Sequence, residues 1–336
     1  MNHAAISGAF NKFKQQTILV IGDIIVDAYC QGSVSRISPE APVPILDIKH
    51  KEHRLGGAAN VALNISGLGA QPILCSVIGR DQGAKNVFDL MHKQGLNTDG
   101  VFQSTKRITS VKTRLMSGHT QLLRMDEEQT NLIDKSDRDT LLAFILGFIG
   151  TEKPDAIIFE DYDKGTIDQS LIESVIGIAQ KVNIPVTVDP KKRNFFEYQG
   201  ATLFKPNMRE LIEGLNIPSL RSTEKDLHIA FEKLIEKMPV EMAFFTLSSD
   251  GVFITNGHEN FHHPAHKRNI SDVSGAGDTV ISVATCALAA GLGMQEISYL
   301  SNLAGGFVCQ FPGVVAIAAT ELKNEFEKIT SSNSGH

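Results

Sequence analysis

Short runs of apolar, mostly β-branched residues alternate with longer stretches of helical spacing along most of this chain. TILVIG near residues 17–22, PILCSVIG near 72–79, DAIIFE at 155–160, IPVTVD at 184–189 and MAFFTLS at 242–248 read as buried strands. Between them, residues 57–68, 82–95, 136–149, 168–182 and 225–237 repeat their apolar positions at the period of a helix. Strand–helix repetition of this kind, with strands apolar on both sides, predicts an α/β domain: a mostly parallel central sheet covered by helices on both faces. No repeat of fixed length is visible, so a single α/β domain over residues 16–330 is expected.

Two segments break the rhythm. Residues 30–55 include the alternating VPILDIKH, and residues 101–125 read SVKTRLMS, GH, TQLLRMD, a hairpin with Gly118 in its turn. Both are expected to form a small β-sheet lid over one end of the core. Ligands of open α/β sheets bind beyond the carboxyl ends of the strands. A flap there would exclude water and leave a face for a second subunit. Residues 275–290 and 295–309 predict two further helices, MNHAAISGAFNKFKQQ a short leading helix, and 331–336 a frayed polar tail.

Composition narrows the function. With 32 Lys plus Arg against 38 Asp plus Glu, the formal net charge is −6, which disfavours a nucleic-acid partner. No apolar run reaches the ~18 residues that crossing a bilayer requires, and the amino-terminal stretch lacks a secretory core. Cys30, Cys75, Cys286 and Cys309 are far apart, form no CxxC pair and sit among apolar neighbours. The expectation is a cytoplasmic protein with reduced thiols.

The strongest chemical signal is DVSGAGDTV, Asp272 to Val280. Gly275 and Gly277, with Ala276 between them, strip side chains from the start of a helix and leave backbone N–H groups to face an anion. Asp278 lies in the first turn of that helix. The segment reads either as a tight turn with a capping carboxylate or as a phosphoryl-transfer centre. In the second reading the amides cradle the phosphoryl group and Asp278 receives the proton of an attacking hydroxyl. Neither GxxxxGK[ST] nor a GxGxxG after a strand is present, which argues against a P-loop ATPase and a dinucleotide dehydrogenase.

Other strand ends add polar groups. VIGDIIVD places Asp23 and Asp27 after the first strand, and LGGAANVALN adds Gly56, Gly57 and Asn60, a set suited to reading sugar hydroxyls. KPNMRE, Lys205 to Glu210, follows another strand. Its Asn207 and Glu210 are spaced either as a capping box or as a pair that positions hydrated Mg²⁺ near nucleotide phosphates. Arg36, Lys112, Arg114 and Arg124 fall on the lid segments, with Asp126 beside Arg124, and offer either a solvated strand face or a site for a phosphate on the sugar. Lys191, Lys192 and Arg193 form another basic cluster. His258, His262, His263 and His266, without a nearby cysteine, are not read as a metal site.

LGGAANVALNISGLGA (55–70) and DVSGAGDTVISVATCALAAG (272–291) resemble the two signature regions of the ribokinase-like carbohydrate kinase family. VIGDIIVDAYCQGSVSRISPEAPVPI (20–45), HTQLLRMDEE (119–128), DYDKGT (161–166) and VDPKK (188–192) are similar to its heptose 7-phosphate kinase branch. The resemblance spans residues 16–328. It implies a mostly parallel sheet with a dimerising β-lid, ATP and Mg²⁺ as cosubstrate and cofactor, and phosphorylation at carbon 1 of D-glycero-β-D-manno-heptose 7-phosphate. Such an activity serves lipopolysaccharide precursor synthesis.

By motif, the resemblance makes Asp278 the base, Gly275, Ala276 and Gly277 the anion hole, and Asn207 and Glu210 the NxxE element. Asp27, Gly56, Gly57 and Asn60 become sugar contacts, and Lys205, Thr246, Ser248, Gly251 and Asn302 the nucleotide side. Asp272 falls near a K⁺ site that carbonyls of a loop like Phe311–Val315 would complete. Leu55 stands where relatives usually have proline, and Glu160 and Asp163 of EDYDKG add acidity where they commonly have SDYAKG. The 336 residues leave no room for an adenylyltransferase domain, so phosphorylation alone is expected. Rival readings are a kinase for fructose, a fructose phosphate or ribose, and a non-catalytic sugar-phosphate sensor.

Overall fold

The computed structural model describes residues 1–118 and 120–333. In chain order, α1 (His3–Phe13) leads to β1 (Thr17–Gly22), β2 (Ile24–Ile37), β3 (Pro44–Gly57), α2 (Ala58–Gly67), β4 (Gln71–Gly79), α3 (Gln82–Lys93) and β5 (Val101–Ser104). Next come β6 (Ser110–Ser117), β7 (Thr120–Glu127), α4 (Lys135–Glu152), β8 (Ala156–Glu160), α5 (Gln169–Lys181), β9 (Val186–Asp189), β10 (Leu203–Phe204) and α6 (Met208–Leu215). The chain ends with α7 (Glu224–Lys237), β11 (Met242–Thr246), β12 (Val252–Thr255), β13 (Asn260–His263), α8 (Ala276–Ala289), α9 (Met294–Val308) and α10 (Ala319–Asn333).

Nine strands form one sheet in the order β13-β12-β11-β10-β9-β8-β1-β4-β5, parallel from β5 to β11 with an antiparallel edge made by β12 and β13. Side chains alternate across a strand, and β1 shows the consequence. Ile18 and Val20 join the core under α1, α2, α8 and α9, while Leu19 and Ile21 join the core under α4, α5 and α7. A strand buried on both sides favours apolar residues on both of its faces, as at Ile18–Ile21, which is why TILVIG was readable as a core strand.

The second sheet, in the order β3-β2-β6-β7, is the lid. Its bounds differ from the sequence expectation. β2 enters it at Ile24, because the chain leaves β1 and pairs at once with Gly57 of β3. Residues 101–104 belong to the main sheet, where β5 pairs with β4. The histidine segment supplies β13, with His262 and His263 next to the backbone carbonyls of Asp250 and Gln295. Of the tail expected at 331–336, residues 331–333 continue α10 to Asn333, and residues 334–336 lie outside the described residues. Among the described residues no helix is long and apolar enough to cross a membrane.

Candidate active site

The carboxyl ends of the neighbouring strands β1, β8, β9, β10 and β11 deliver Asp23, Glu160, Asp189, Lys205 and Thr246 to one edge of the sheet, and the amino terminus of α8 meets them there. Gly275 caps α8 with φ 78°, a left-handed conformation that costs a side-chain-bearing residue about 1–2 kcal/mol. A methyl group at Gly275 would sit 2.8 Å from Nδ2 of Asn60. The N–H of Ala276 donates to the carbonyl of Val273 at 3.3 Å, so the turn uses part of the anion hole expected of 275–277 for its own closure.

Asp278 is 3% exposed and held from two sides. Its Oδ2 accepts from Nδ2 of Asn60 at 2.7 Å, and its Oδ1 accepts from the Tyr162 hydroxyl at 2.8 Å. Burial pushes its pKa up, while both donors favour the ionised form and pull it back. Asn60 lies in the first turn of α2. Behind it Asn64 donates to the Asn60 carbonyl and accepts from the Thr279 hydroxyl, which fixes the seam between α2 and α8.

Asp23 has a different task from the expected sugar contact. Its carboxylate accepts from the backbone N–H groups of Tyr162, Lys164 and Thr166, each at 3.0 Å. It thereby clamps the loop that carries Tyr162. The neighbouring Asp161, buried and close to Asp23, is pushed up to about 6 and accepts from Asn194 and Tyr198.

Beside Asp278, carboxylate oxygens of Glu160 and Asp189 complete a buried group within 4.8 Å of one another. Asp189 pairs with the buried ammonium of Lys205 at 2.8 Å. Burial alone would push Lys205 down; Asp189, Glu210 and Glu160 together raise it. Neither carboxylate oxygen of Glu160 has a hydrogen-bond partner. Burial, Asp189 and Asp278 push its pKa well above the carboxylate range.

Asn207 and Glu210 form the capping box of α6: the Asn207 side chain accepts from the Glu210 N–H, and the Glu210 carboxylate accepts from the Asn207 N–H. The other oxygen of Glu210 takes Nζ of Lys191. These groups line a cavity of about 300 Å³ with Asp163 and Lys192. Thr246 bridges to Asn207 across the strand ends, Ser248 (φ 57°) and Gly251 (φ 88°) form the turn after β11, and Asn302 donates to the carbonyl of Pro264 at 2.9 Å. Near them His266, Lys267, Arg268 and Gln310 line a cavity of about 740 Å³.

The lid register explains the expected sugar-side residues. Asp27, Lys112 and Asp126 lie directly across from one another on β2, β6 and β7, as do Tyr29, Arg114 and Arg124 in the adjacent row. Since i and i+2 share a face, all six belong to one surface. Arg114 pairs with the buried Asp27, Lys112 with Glu128, and the more exposed Arg124 with Asp126. Gly56 and Gly57 were expected to let a ligand approach; the space is instead filled by this chain, by the Asp27 carboxylate at Gly56 and the Asp23 carbonyl at Gly57. Arg36 is exposed, nine residues beyond Asp27 on the same strand, roughly 30 Å away at strand rise, which removes it from its own chain's pocket.

Asp272 accepts from the N–H groups of Ser274 and Gly313. Burial acts to raise its pKa, but these bonds hold it below the usual value. The carbonyls of Pro312 and Val314, in the loop expected to complete a K⁺ site, already accept from the Arg54 guanidinium at 3.1 and 3.2 Å. Sequence reasoning gave no role to Arg54, Asp189 or Tyr162. The local hint for the last two was their place at strand ends, Asp189 closing β9 and Tyr162 two residues past β8.

A model of the "pfkB family carbohydrate kinase" matches residues 15–321. The bifunctional protein HldE of Methylobacillus flagellatus is 38% identical over 315 residues, covering 94% of this chain and 64% of that protein. The one from Haemophilus influenzae is 39% identical, with 93% and 64% covered. The chain thus spans under two thirds of the length of these relatives. Phosphofructokinase-2 from Escherichia coli, in complex with potassium, superposes with a TM-score of 0.75 at 16% identity, covering 94% of this chain and 99% of that one. Arabidopsis thaliana ribokinase complexed with ribose and ATP gives 0.72 at 16% identity, covering 93% and 99%. At such identities these likenesses establish the fold.

Proposed function

Because the chain belongs to the pfkB family of carbohydrate kinases, we propose that it transfers the γ-phosphoryl group of ATP to the anomeric hydroxyl of D-glycero-β-D-manno-heptose 7-phosphate, giving the 1,7-bisphosphate in the cytoplasm. The observation that carries this reading is the buried Asp278 carboxylate, aimed by Asn60 and Tyr162 at the head of α8. The carboxylate orients the sugar hydroxyl and takes its proton as the new P–O bond forms, since an alcohol is far too weak an acid to be ionised beforehand. N–H groups in the first turn of α8, which have no partner within the helix, face the charge on the transferring group.

The choice of sugar rests on two supports: the identity to HldE proteins, and the cations Lys112, Arg114 and Arg124 on the lid face that also carries Asp27. These cations suit a phosphate already on the substrate. Glu210, an oxygen donor lining a cavity with Asn207, fits the hydrated Mg²⁺ that would neutralise nucleotide phosphate charge when bound. The loop Phe311–Val315 beside Asp272 is assigned to K⁺; the carbonyls of Pro312 and Val314 there accept from Arg54 and keep a second lone pair each. The opposite lid face exposes Ile48, Leu123 and Met125, an apolar surface suited to a second copy of the chain.

The test is ADP release over a panel of heptose 7-phosphate, fructose, fructose 6-phosphate and ribose, with phosphorus resonance identifying the phosphorylated carbon. Turnover on heptose 7-phosphate with a new anomeric phosphate is expected. Preference for another sugar overturns the substrate assignment, and no turnover on any sugar favours the sensor reading.

A further inference from the structure

The group formed by Glu160, Asp189 and Asp278 is charged beyond what its neighbours neutralise. Three carboxylates stand at the ends of β8 and β9 and the start of α8, and Glu210 is a fourth nearby. Against them the structure sets two ammonium groups, Lys205 on Asp189 and Lys191 on Glu210. Asp278 is satisfied by neutral donors, Asn60 and Tyr162. That leaves Glu160, fully buried, with both oxygens unpartnered and within reach of the Asp189 and Asp278 oxygens. A buried carboxylate without hydrogen bonds is costly. A hard divalent cation supplies what is missing: it takes oxygen ligands, tolerates several carboxylates at once and, as it displaces the proton of Glu160, brings the two positive charges that balance four ionised acids against two lysines.

We propose that Glu160, Asp189 and Asp278 form a divalent-cation site of the protein itself, separate from the Glu210 position and filled without nucleotide. Glu160 is its defining ligand, because it alone of the three has no other partner. Asp189 bridges the cation to Lys205, and Asp278, the proposed base, is the third ligand. A cation here lies beside the point where the sugar hydroxyl is received. High concentrations of free cation are therefore expected to compete with the sugar, in contrast to cation that arrives bound to nucleotide.

The experiment uses the full chain, stripped with EDTA, and Mn²⁺ alone as the probe. Free Mn²⁺ is counted by electron paramagnetic resonance, in parallel with thermal melting. The wild-type protein should bind one Mn²⁺ per chain without ATP or sugar and melt at a higher temperature with it. Glu160→Gln, of nearly the same volume, should bind about tenfold or more weakly and lose the Mn²⁺-dependent rise in melting temperature. Its own melting transition in EDTA reports that it is folded. Glu210→Gln should bind Mn²⁺ like the wild type. The proposal is overturned if the wild type takes up no Mn²⁺ at millimolar concentration, if Glu160→Gln binds as the wild type does, or if Glu210→Gln abolishes the binding. No substrate is present, so these outcomes leave the kinase reading untouched.

Discussion

The hydroxyl of Tyr162 donates to Oδ1 of Asp278 at 2.8 Å, which ties the loop after β8 to the first turn of α8. Asn60 holds the other carboxylate oxygen from α2. Tyr162→Phe removes a bond to the charged form of Asp278, worth about 1.5 kcal/mol or more, so kcat should fall by about tenfold. Because that bond favours the ionised carboxylate, its loss raises the Asp278 pKa, and the acid limb of the kcat–pH profile should move to higher pH. An unmoved limb would show that Tyr162 does not tune the base.

Asp278→Asn keeps the shape of the side chain and removes its capacity to accept a proton. General base catalysis contributes about 10²–10⁴ in rate, so turnover should fall by that order. Sugar binding, followed by calorimetry, should change little. A variant retaining more than about a tenth of wild-type turnover would remove Asp278 from the role of base.

Gly275→Ala places a methyl group on a left-handed residue and 2.8 Å from Nδ2 of Asn60. Strain of about 1–2 kcal/mol is expected in stability. The larger effect should be on kcat, since Asn60 must move off Asp278. Unchanged kcat with lowered stability would mean that the turn serves folding alone.

Asp23→Asn replaces an acceptor of three backbone N–H groups by a group that is half donor. Breaking such a buried charge-assisted set should cost on the order of 3 kcal/mol in urea unfolding. Activity should fall too, through the loosened Tyr162. A stable, fully active variant would show that the loop does not depend on this clamp.

The pH dependence of stability in EDTA follows from Glu160, whose folded pKa is raised by burial, Asp189 and Asp278. Above the ordinary carboxylate value of about 4.3 the unfolded chain releases this proton while the native chain retains it. The native state then binds more protons, and stability falls as pH rises until Glu160 ionises in the folded protein. Glu160→Gln removes this slope. Its stability curve should meet the wild type's below about pH 4 and lie above it at neutral pH, by about 1–3 kcal/mol, the cost of an unsatisfied buried polar group. Asp161, pushed up to about 6 by burial and Asp23, leaves both proteins a shared decline as pH rises toward 6. Parallel curves would exclude Glu160 as the source.

Hydrophobic period and glycine placement alone determined much of this protein. Five core strands, the helices between them and the Gly275–Asp278 helix start were legible because each is a local pattern: two-sided burial makes Ile18–Ile21 of β1 an unbroken apolar run, and a left-handed cap favours glycine. The capping box of Asn207 and Glu210 was one of two open readings, and the structure realises it without excluding the other, since the same carboxylate lines a cavity. The tertiary structure decided the partnerships. Asp23 looked like a sugar ligand until the loop 162–166, some 140 residues away, folded onto it, and Gly56 looked open until Asp27 filled its space. Arg54 found the carbonyls of Pro312 and Val314 only when the lid folded against the loop after α9, and Glu160 found Asp189 because the parallel strands β8 and β9 end side by side, where the head of α8 brings Asp278. Spacing records what a residue does to its own turn of chain, whereas charge pairing across that edge depends on which strands become neighbours, and that is settled only when the sheet assembles.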